Sequence, residues 1–137
     1  MVKPPNILIV DDQKGVRLLL ELVFREEGYR VTTAANGSDA WRKVQAEPPD
    51  VVIMDVKMPV MGGLEALPLL KSTSPKTKVI MITAYADTTT LEEVWQKGAS
   101  DFILKPFDLE DLKERVRRVL TDGQRPPESL PPSLSKK

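Results

Sequence analysis

The sequence predicts an α/β fold in which a five-stranded parallel sheet carries helices on both faces. Three observations predict it. Short unbroken apolar runs recur at residues 6–10 (NILIV), 51–54 (VVIM) and 78–82 (KVIMI), each flanked by turn residues. Runs of that length read as strands buried on both faces, as in parallel sheets. Between the runs lie segments whose apolar residues recur at a helical period of about 3.6. The two patterns alternate down the chain, and right-handed crossovers between parallel strands then place helices on both sides of the sheet.

Taken in order, the first strand (6–10) ends at Asp11 and Asp12. Residues 14–27 follow with Val16, Leu19, Leu20, Val23 and Phe24 at helical spacing, and Gly28 is a stop signal. Residues 29–34, rich in Thr and Val, form a weaker strand closed by Asn36-Gly37. A second helix over 38–46 places Ala40, Trp41 and Val44 on one face and is stopped by Pro48-Pro49. The third strand, 51–54, runs straight into Asp55. Gly62-Gly63 leads to a third helix with Leu64, Leu67 and Leu70 inward. Pro68 lies beyond its first turn and removes a backbone donor, which predicts a late start or a kink. The fourth strand, 78–82, delivers Thr83, and Thr89 with Glu92 resembles a capping box for a helix running to Gly98. The fifth strand, 102–104, delivers Lys105-Pro106. Asp108 opens the last helix, with Leu109, Leu112, Val116 and Val119 at core spacing. From Thr121 the pattern stops, and four prolines follow with little apolar surface to bury. The predicted domain is therefore 1–122, with 123–137 a flexible Pro-rich tail.

Composition excludes several functions. At 137 residues, 41% hydrophobic and 29% charged, the chain suits one soluble globular domain. Lys plus Arg equals Asp plus Glu at 20 each, so no global basic field argues for direct nucleic-acid binding. The basic run at 113–118 has acids interleaved and reads as a solvated helix face. Without cysteine there are no disulfides or thiolate metal sites. Without histidine the chain lacks the usual general base, the usual transition-metal ligand and any phosphohistidine of its own. Acids within the first dozen residues interrupt any signal-peptide core, and no stretch approaches the roughly 20 apolar residues of a membrane span. A cytoplasmic protein with no membrane partner is expected.

In a parallel sheet all carboxyl ends share one edge, where ligands bind in open α/β sheets. Strands one, three, four and five deliver Asp11 and Asp12, Asp55, Thr83 and Lys105 to it. Strand two delivers only Ala35-Asn36-Gly37, which fits an outer position. Converging carboxylates repel and need a cation or a proton. An all-oxygen donor set suits Mg²⁺ or Mn²⁺ and argues against Zn²⁺. A carboxylate nucleophile, a hard divalent ion, a lysine and a hydroxyl together make a phosphoryl-transfer site. Two rivals fail on single positions. A phosphohydrolase of the haloacid-dehalogenase type needs a second Asp two places after the nucleophile, where Lys57 stands. A flavodoxin needs a phosphate loop after strand one, where Asp11 and Asp12 would repel the phosphate.

These same residues carry a resemblance. Asp11-Asp12, the Asp-x-x-Met-Pro of 55–59, Thr83-Ala84 and Lys105-Pro106-Phe107 resemble the receiver domain of bacterial response regulators, over about 6–120. Residues 7–29 and the AANG of 34–37 are similar to its single-domain sporulation-phosphorelay members. The resemblance implies a flavodoxin-like sheet of order 2-1-3-4-5, the order of that fold class. It implies that Asp55 accepts a phosphoryl group from the phosphohistidine of a histidine kinase or histidine phosphotransfer protein. The domain then relays the group, or an altered surface, to a downstream phosphorelay or effector protein. In this reading the chain catalyses transfer to, and hydrolysis from, its own Asp55. It further implies that Asp12 and Asp55 bind Mg²⁺ with the backbone carbonyl of Lys57, while Asp11 acts mostly through water. Lys105 and Thr83 then contact the phosphoryl oxygens, and the Lys105–Pro106 bond is cis. Thr83 is a switch residue, and Phe102, three places before Lys105, stands between a switch role and plain core packing. An alternative keeps the same chemistry but makes the chain the amino-terminal receiver of a longer DNA-binding regulator of the σ54-activator type.

Docking of the partner is expected on the first helix at Gln13, Gly15, Val16 and Leu19, with Pro106 and Phe107 beside the rim. Leu18, Leu19 and Leu20 are consecutive, and at about 100° per residue one helix cannot bury all three. Exposed apolar surface of this kind marks interaction sites. Gly15 weakens the helix but permits close approach of another backbone. The competing reading is that Val16 and Leu19 are simply core.

Overall fold

The five strands are β1 (Asn6–Val10), β2 (Arg30–Ala34), β3 (Val51–Asp55), β4 (Lys78–Thr83) and β5 (Asp101–Leu104), all paired in parallel in the order β2-β1-β3-β4-β5. The helices are α1 (Lys14–Glu26), α2 (Gly37–Ala46), α3 (Gly63–Thr73), α4 (Thr88–Gln96) and α5 (Leu109–Asp122). The structure is a computed structural model and describes residues 3–84 and 88–122. The tail expected at 123–137 lies outside the described residues.

Strand alternation sorts the core into two layers. Ile7, Ile9, Val51, Ile53, Ile80 and Ile82 face Leu20 and Phe24 of α1 and Leu112, Val116 and Val119 of α5. Their neighbours Leu8, Val10, Val52, Met54, Val79 and Met81 face Val44 of α2, Leu67 and Leu70 of α3 and Val94 of α4. The central strands are thus apolar on both faces, which is why they read as unbroken runs. Each such side chain taken out of water contributes about 1.5–3 kcal/mol, so the sheet is the rigid base for whatever its rim carries.

Local signals place the helix ends. The Asn36 side chain accepts a hydrogen bond from the Asp39 N–H at 2.8 Å, so α2 starts at Gly37, one residue before the expected 38. Asp108 accepts from the Glu110 N–H at 2.8 Å and opens α5 as expected. Gly28 ends α1 with φ +97°, a backbone that side chains resist. Two expectations need correction. First, α3 shows no late start: it begins at Gly63 and carries Pro68 inside it. Pro68 is exposed, on the side where water can stand in for the missing N–H. Second, α4 begins at Thr88, so Thr89 is within the helix rather than its cap; the Thr89 side chain lies outside the described residues.

Lys113, Arg115 and Arg117 of α5 are paired with acids. Lys113 reaches Glu27 and Glu110, while Arg117 reaches Glu27 and Glu114. Arg115 meets the buried Asp101 at 2.9 Å. Among the described residues no helix is long and apolar enough to cross a membrane.

Candidate functional site

Register brings the acids together. Val10 pairs with Met54, so the next residue of each strand, Asp11 and Asp55, stand side by side at the carboxyl edge. Asp55 in turn pairs with Ile82, which puts Thr83 one step further along β4. Thr83 pairs with Leu104, and the Lys105 N–H donates to the Thr83 carbonyl at 2.8 Å. Four strand ends therefore deliver to one rim, as their apolar runs predict.

One carboxylate oxygen each from Asp11, Asp12 and Asp55 lies within 4.8 Å of the other two. Asp11 is buried and Asp12 is exposed. Asp55 is also buried, and both of its oxygens have donors. Its Oδ2 takes the Lys105 Nζ at 2.8 Å, and its Oδ1 takes the Lys57 N–H at 3.3 Å. Lys105 also stands 3.9 Å from Asp11 Oδ2. Burial pulls the lysine's pKa down, but the hydrogen bond and charge of Asp55, with Asp11 and Asp12, outweigh it and hold the pKa above its ordinary value. Lys105 is therefore a firmly charged cation. Asp11 is pushed up from the usual carboxylate range by burial first. The Gln13 N–H and Lys105 oppose that rise, while the charges of Asp55 and Asp12 add to it.

One lysine cannot neutralise three carboxylates, and one atom shows what is missing. Asp11 Oδ2 is buried and has no hydrogen-bond partner among the described residues. Such an orphaned oxygen is costly unless something joins it. A cluster of carboxylate oxygens with neither nitrogen nor sulfur donors fits a hard divalent cation, by the donor-set argument that favours Mg²⁺ or Mn²⁺.

The loop after β3 is folded tightly against the site. The Gly63 N–H donates to the Val56 carbonyl at 2.8 Å, and a Cβ on Gly63 would come within 2.2 Å of the Asp55 carbonyl oxygen. Only glycine fits there. Within the loop the Met61 N–H donates to the Pro59 carbonyl at 2.8 Å, a γ-turn centred on Val60, whose φ is +71°. A β-branched residue in that region is strained by about 1–3 kcal/mol. The side chain, 81% exposed, gains little packing in return. Val60→Gly should therefore raise stability by about 1 kcal/mol after glycine's entropic cost, or about 4 °C in melting temperature. A thermal melt that shows a lower midpoint would mean the turn is held by something other than its own backbone.

Five of the six expected docking residues also converge, Gly15 being the one outside the groove lining. Gln13, Val16, Leu19, Pro106 and Phe107 line one open groove, together with Lys105. Leu19 is 47% exposed and Leu18 55%, while Leu20 alone of the three is buried. Leu19 is thus not core, and Val16 is half-buried. Gly15 has open space where a side chain would go. Phe102 is buried, edge-on to Trp95 with centroids 5.2 Å apart, in the layer shared with α2, α3 and α4. The Lys105–Pro106 bond is cis. One participant escaped the sequence reading: the Arg17 guanidinium donates to the Asp11 carbonyl at 2.7 Å. Its only signal was a basic residue one turn into the helix that follows the acids.

Comparison with known proteins agrees with this geometry. The family model described as the response regulator receiver domain matches residues 7–117. The chain is 42% identical over 115 residues to sporulation initiation phosphotransferase F of Bacillus subtilis (strain 168), covering 84% of this chain and 93% of that one. It is 43% identical over 115 residues to the regulatory protein AtoC of Escherichia coli (strain K12), covering 84% of this chain but only 25% of AtoC. Among solved structures, the CheX–CheY–BeF3–Mg complex from Borrelia burgdorferi contains a similar chain. There the TM-score is 0.82 and the identity 34%, over 87% of this chain and 91% of that one.

Proposed function

This chain belongs to the response regulator receiver domain family, and we propose that Asp55 accepts a phosphoryl group from a phosphohistidine on a partner protein. The observation that carries the reading is the Asp55 carboxylate itself: buried at the rim, it is held by the Lys57 N–H and the Lys105 ammonium beside the unsatisfied Asp11 oxygen. An Asp55 carboxylate oxygen attacks phosphorus as the nitrogen–phosphorus bond breaks. The electron pair of that bond stays on the imidazole, which takes a proton, and an acyl phosphate remains on Asp55. Asp12, Asp55 and the Lys57 carbonyl would hold Mg²⁺, with Asp11 acting through water; when bound, the ion supplies positive charge for the phosphoryl oxygens. Lys105 supplies a second, fixed positive charge, and Thr83 a hydroxyl at the neighbouring strand end. Having no histidine, the chain depends on another protein as donor, a histidine kinase or histidine phosphotransfer protein. Water later releases the phosphoryl group from Asp55, unless a downstream partner takes it first.

The groove between α1 and Pro106-Phe107 is the surface for that donor, because a phosphohistidine must lie against the rim to reach Asp55. The test uses two donors, a phosphohistidine protein and a small acyl phosphate. Gly15→Arg fills the open space on α1, and Leu19→Ala removes an exposed side chain, so both variants should melt near the wild type. Transfer from the protein donor should fall about tenfold or more, the scale of a hot-spot contact. Labelling by the small donor, which needs no docking, should fall far less. If both donors fail together and the variants melt early, the surface lies elsewhere.

A second reading has a specific observation behind it, the 43% identity to a stretch that makes up 25% of AtoC. In that reading the same receiver works as one part of a longer regulator with a DNA-binding output. The site chemistry is identical, and the altered surface is passed to a domain of the same chain.

A further inference from the structure

Asp11 is held at three of its four polar atoms. Its N–H donates to the Ala34 carbonyl at 3.2 Å, and its Oδ1 accepts from the Gln13 N–H at 2.8 Å. Its carbonyl, just past the end of β1 at Val10, accepts from Arg17 Nη1 at 2.7 Å. Only Oδ2 is left over, and it faces Lys105. Arg17 sits one turn into α1, its own N–H on the Gln13 carbonyl at 3.1 Å. Helical side chains lean toward the amino terminus, so the guanidinium reaches back over the β1 end.

That carbonyl belongs to the peptide plane joining Asp11 to Asp12. The plane is rigid, so pinning its oxygen also holds the Asp12 nitrogen and Cα in place, the point from which the exposed Asp12 side chain leaves the chain. From this we infer that Arg17 is a positioning residue for divalent-cation binding: it orients the Asp11–Asp12 pair toward Asp55 without touching the cation. The inference rests on the metal-dependent function proposed above and extends it to a residue outside the acidic cluster.

Simple electrostatics gives the opposite expectation, which makes the idea testable. Arg17 is a cation on the same side of the molecule as the site. Removing its charge should, by Coulomb's law alone, tighten Mg²⁺ binding. Removing a positioning contact should weaken it, because the freed peptide turns to find water and carries Asp12 with it.

The measurement is Mg²⁺ titration by calorimetry on wild type, Arg17→Met and Arg17→Lys, with thermal melts in metal-free buffer. Arg17→Met should weaken Mg²⁺ binding about tenfold, the size of one charge-assisted hydrogen bond. Arg17→Lys should lie between, since it keeps the charge and one donor. In labelling by a small acyl phosphate, the Mg²⁺ concentration for half-maximal rate should shift by the same factor, and the deficit should be overcome by more Mg²⁺. Unchanged or tighter Mg²⁺ binding in Arg17→Met overturns the inference while leaving the proposed function standing. If Arg17→Met does not fold, Arg17→Lys decides by the same criterion. Wild type that binds no Mg²⁺ sinks the proposed function, and this inference with it.

Discussion

Replacing Asp55 with Asn or Ala should abolish labelling by a small acyl phosphate in the presence of Mg²⁺, where the wild type takes up one phosphoryl group. The expectation turns on which of three neighbouring carboxylates is the nucleophile. Asp12 is exposed, and among the described residues no lysine forms an ion pair with it to hold an incoming anion beside it. Asp11 is buried, pushed toward its protonated form, and has Oδ1 tied to the Gln13 N–H. Asp55 alone has an oxygen at 2.8 Å from a fixed ammonium, so charge that builds on the transferring group arises where a cation already stands. Asp55→Asn is the sharper variant because it keeps the side chain's size. Mass spectrometry of the intact protein reads the result, and excess chelator should suppress the wild-type signal. Labelling of Asp55→Asn at the wild-type rate would assign the nucleophile to Asp11 or Asp12.

How far these residues were legible follows from the kind of signal each carries. Asp55 and Lys105 follow directly after apolar runs, and in a parallel sheet the end of each run is fixed in space by register, so reading the strands was reading the site. Leu18, Leu19 and Leu20 could not all be buried, and the structure exposes the first two. Pro68 did not delay the helix, because helix propensity is a local quantity, whereas the cost of a missing N–H depends on which side of the finished helix it falls. Thr89 misled for a related reason, since a Ser/Thr-x-x-Glu pattern marks a helix start only when the backbone before it is extended. The strain at Val60 had no signal at all: its φ is set by the closing of the loop between β3 and α3, with Gly37 N–H on the Met61 carbonyl at 2.8 Å. Arg17 offered only its place one turn into the helix after the acids, because its partner is a backbone carbonyl, and carbonyls have no letter in a sequence.

Lys105→Ala should leave Mg²⁺ binding intact, or tighten it several-fold, while slowing labelling of Asp55 about a hundredfold. The two halves have one cause. Lys105 now sits 2.8 Å from Asp55 Oδ2 and 3.9 Å from Asp11 Oδ2, so in the resting protein it competes with a divalent ion for the same oxygens. Like charges at such range repel, and deleting one of them favours the other. The rate is a different matter. When the phosphoryl group moves onto Asp55, its oxygens spread negative charge that a divalent ion alone meets on one side. A fixed donor aimed at developing charge contributes about 10²–10³ in rate, because it needs no rearrangement at the moment of transfer. Lys105→Arg should recover only part of that rate, since a planar guanidinium does not replace a compact ammonium held among Asp55, Asp11 and Asp12. Calorimetry gives the first quantity and a labelling time course the second. Loss of Mg²⁺ binding in Lys105→Ala would mean that the lysine organises the acids instead of competing for them. An unchanged rate would remove Lys105 from the transfer step altogether.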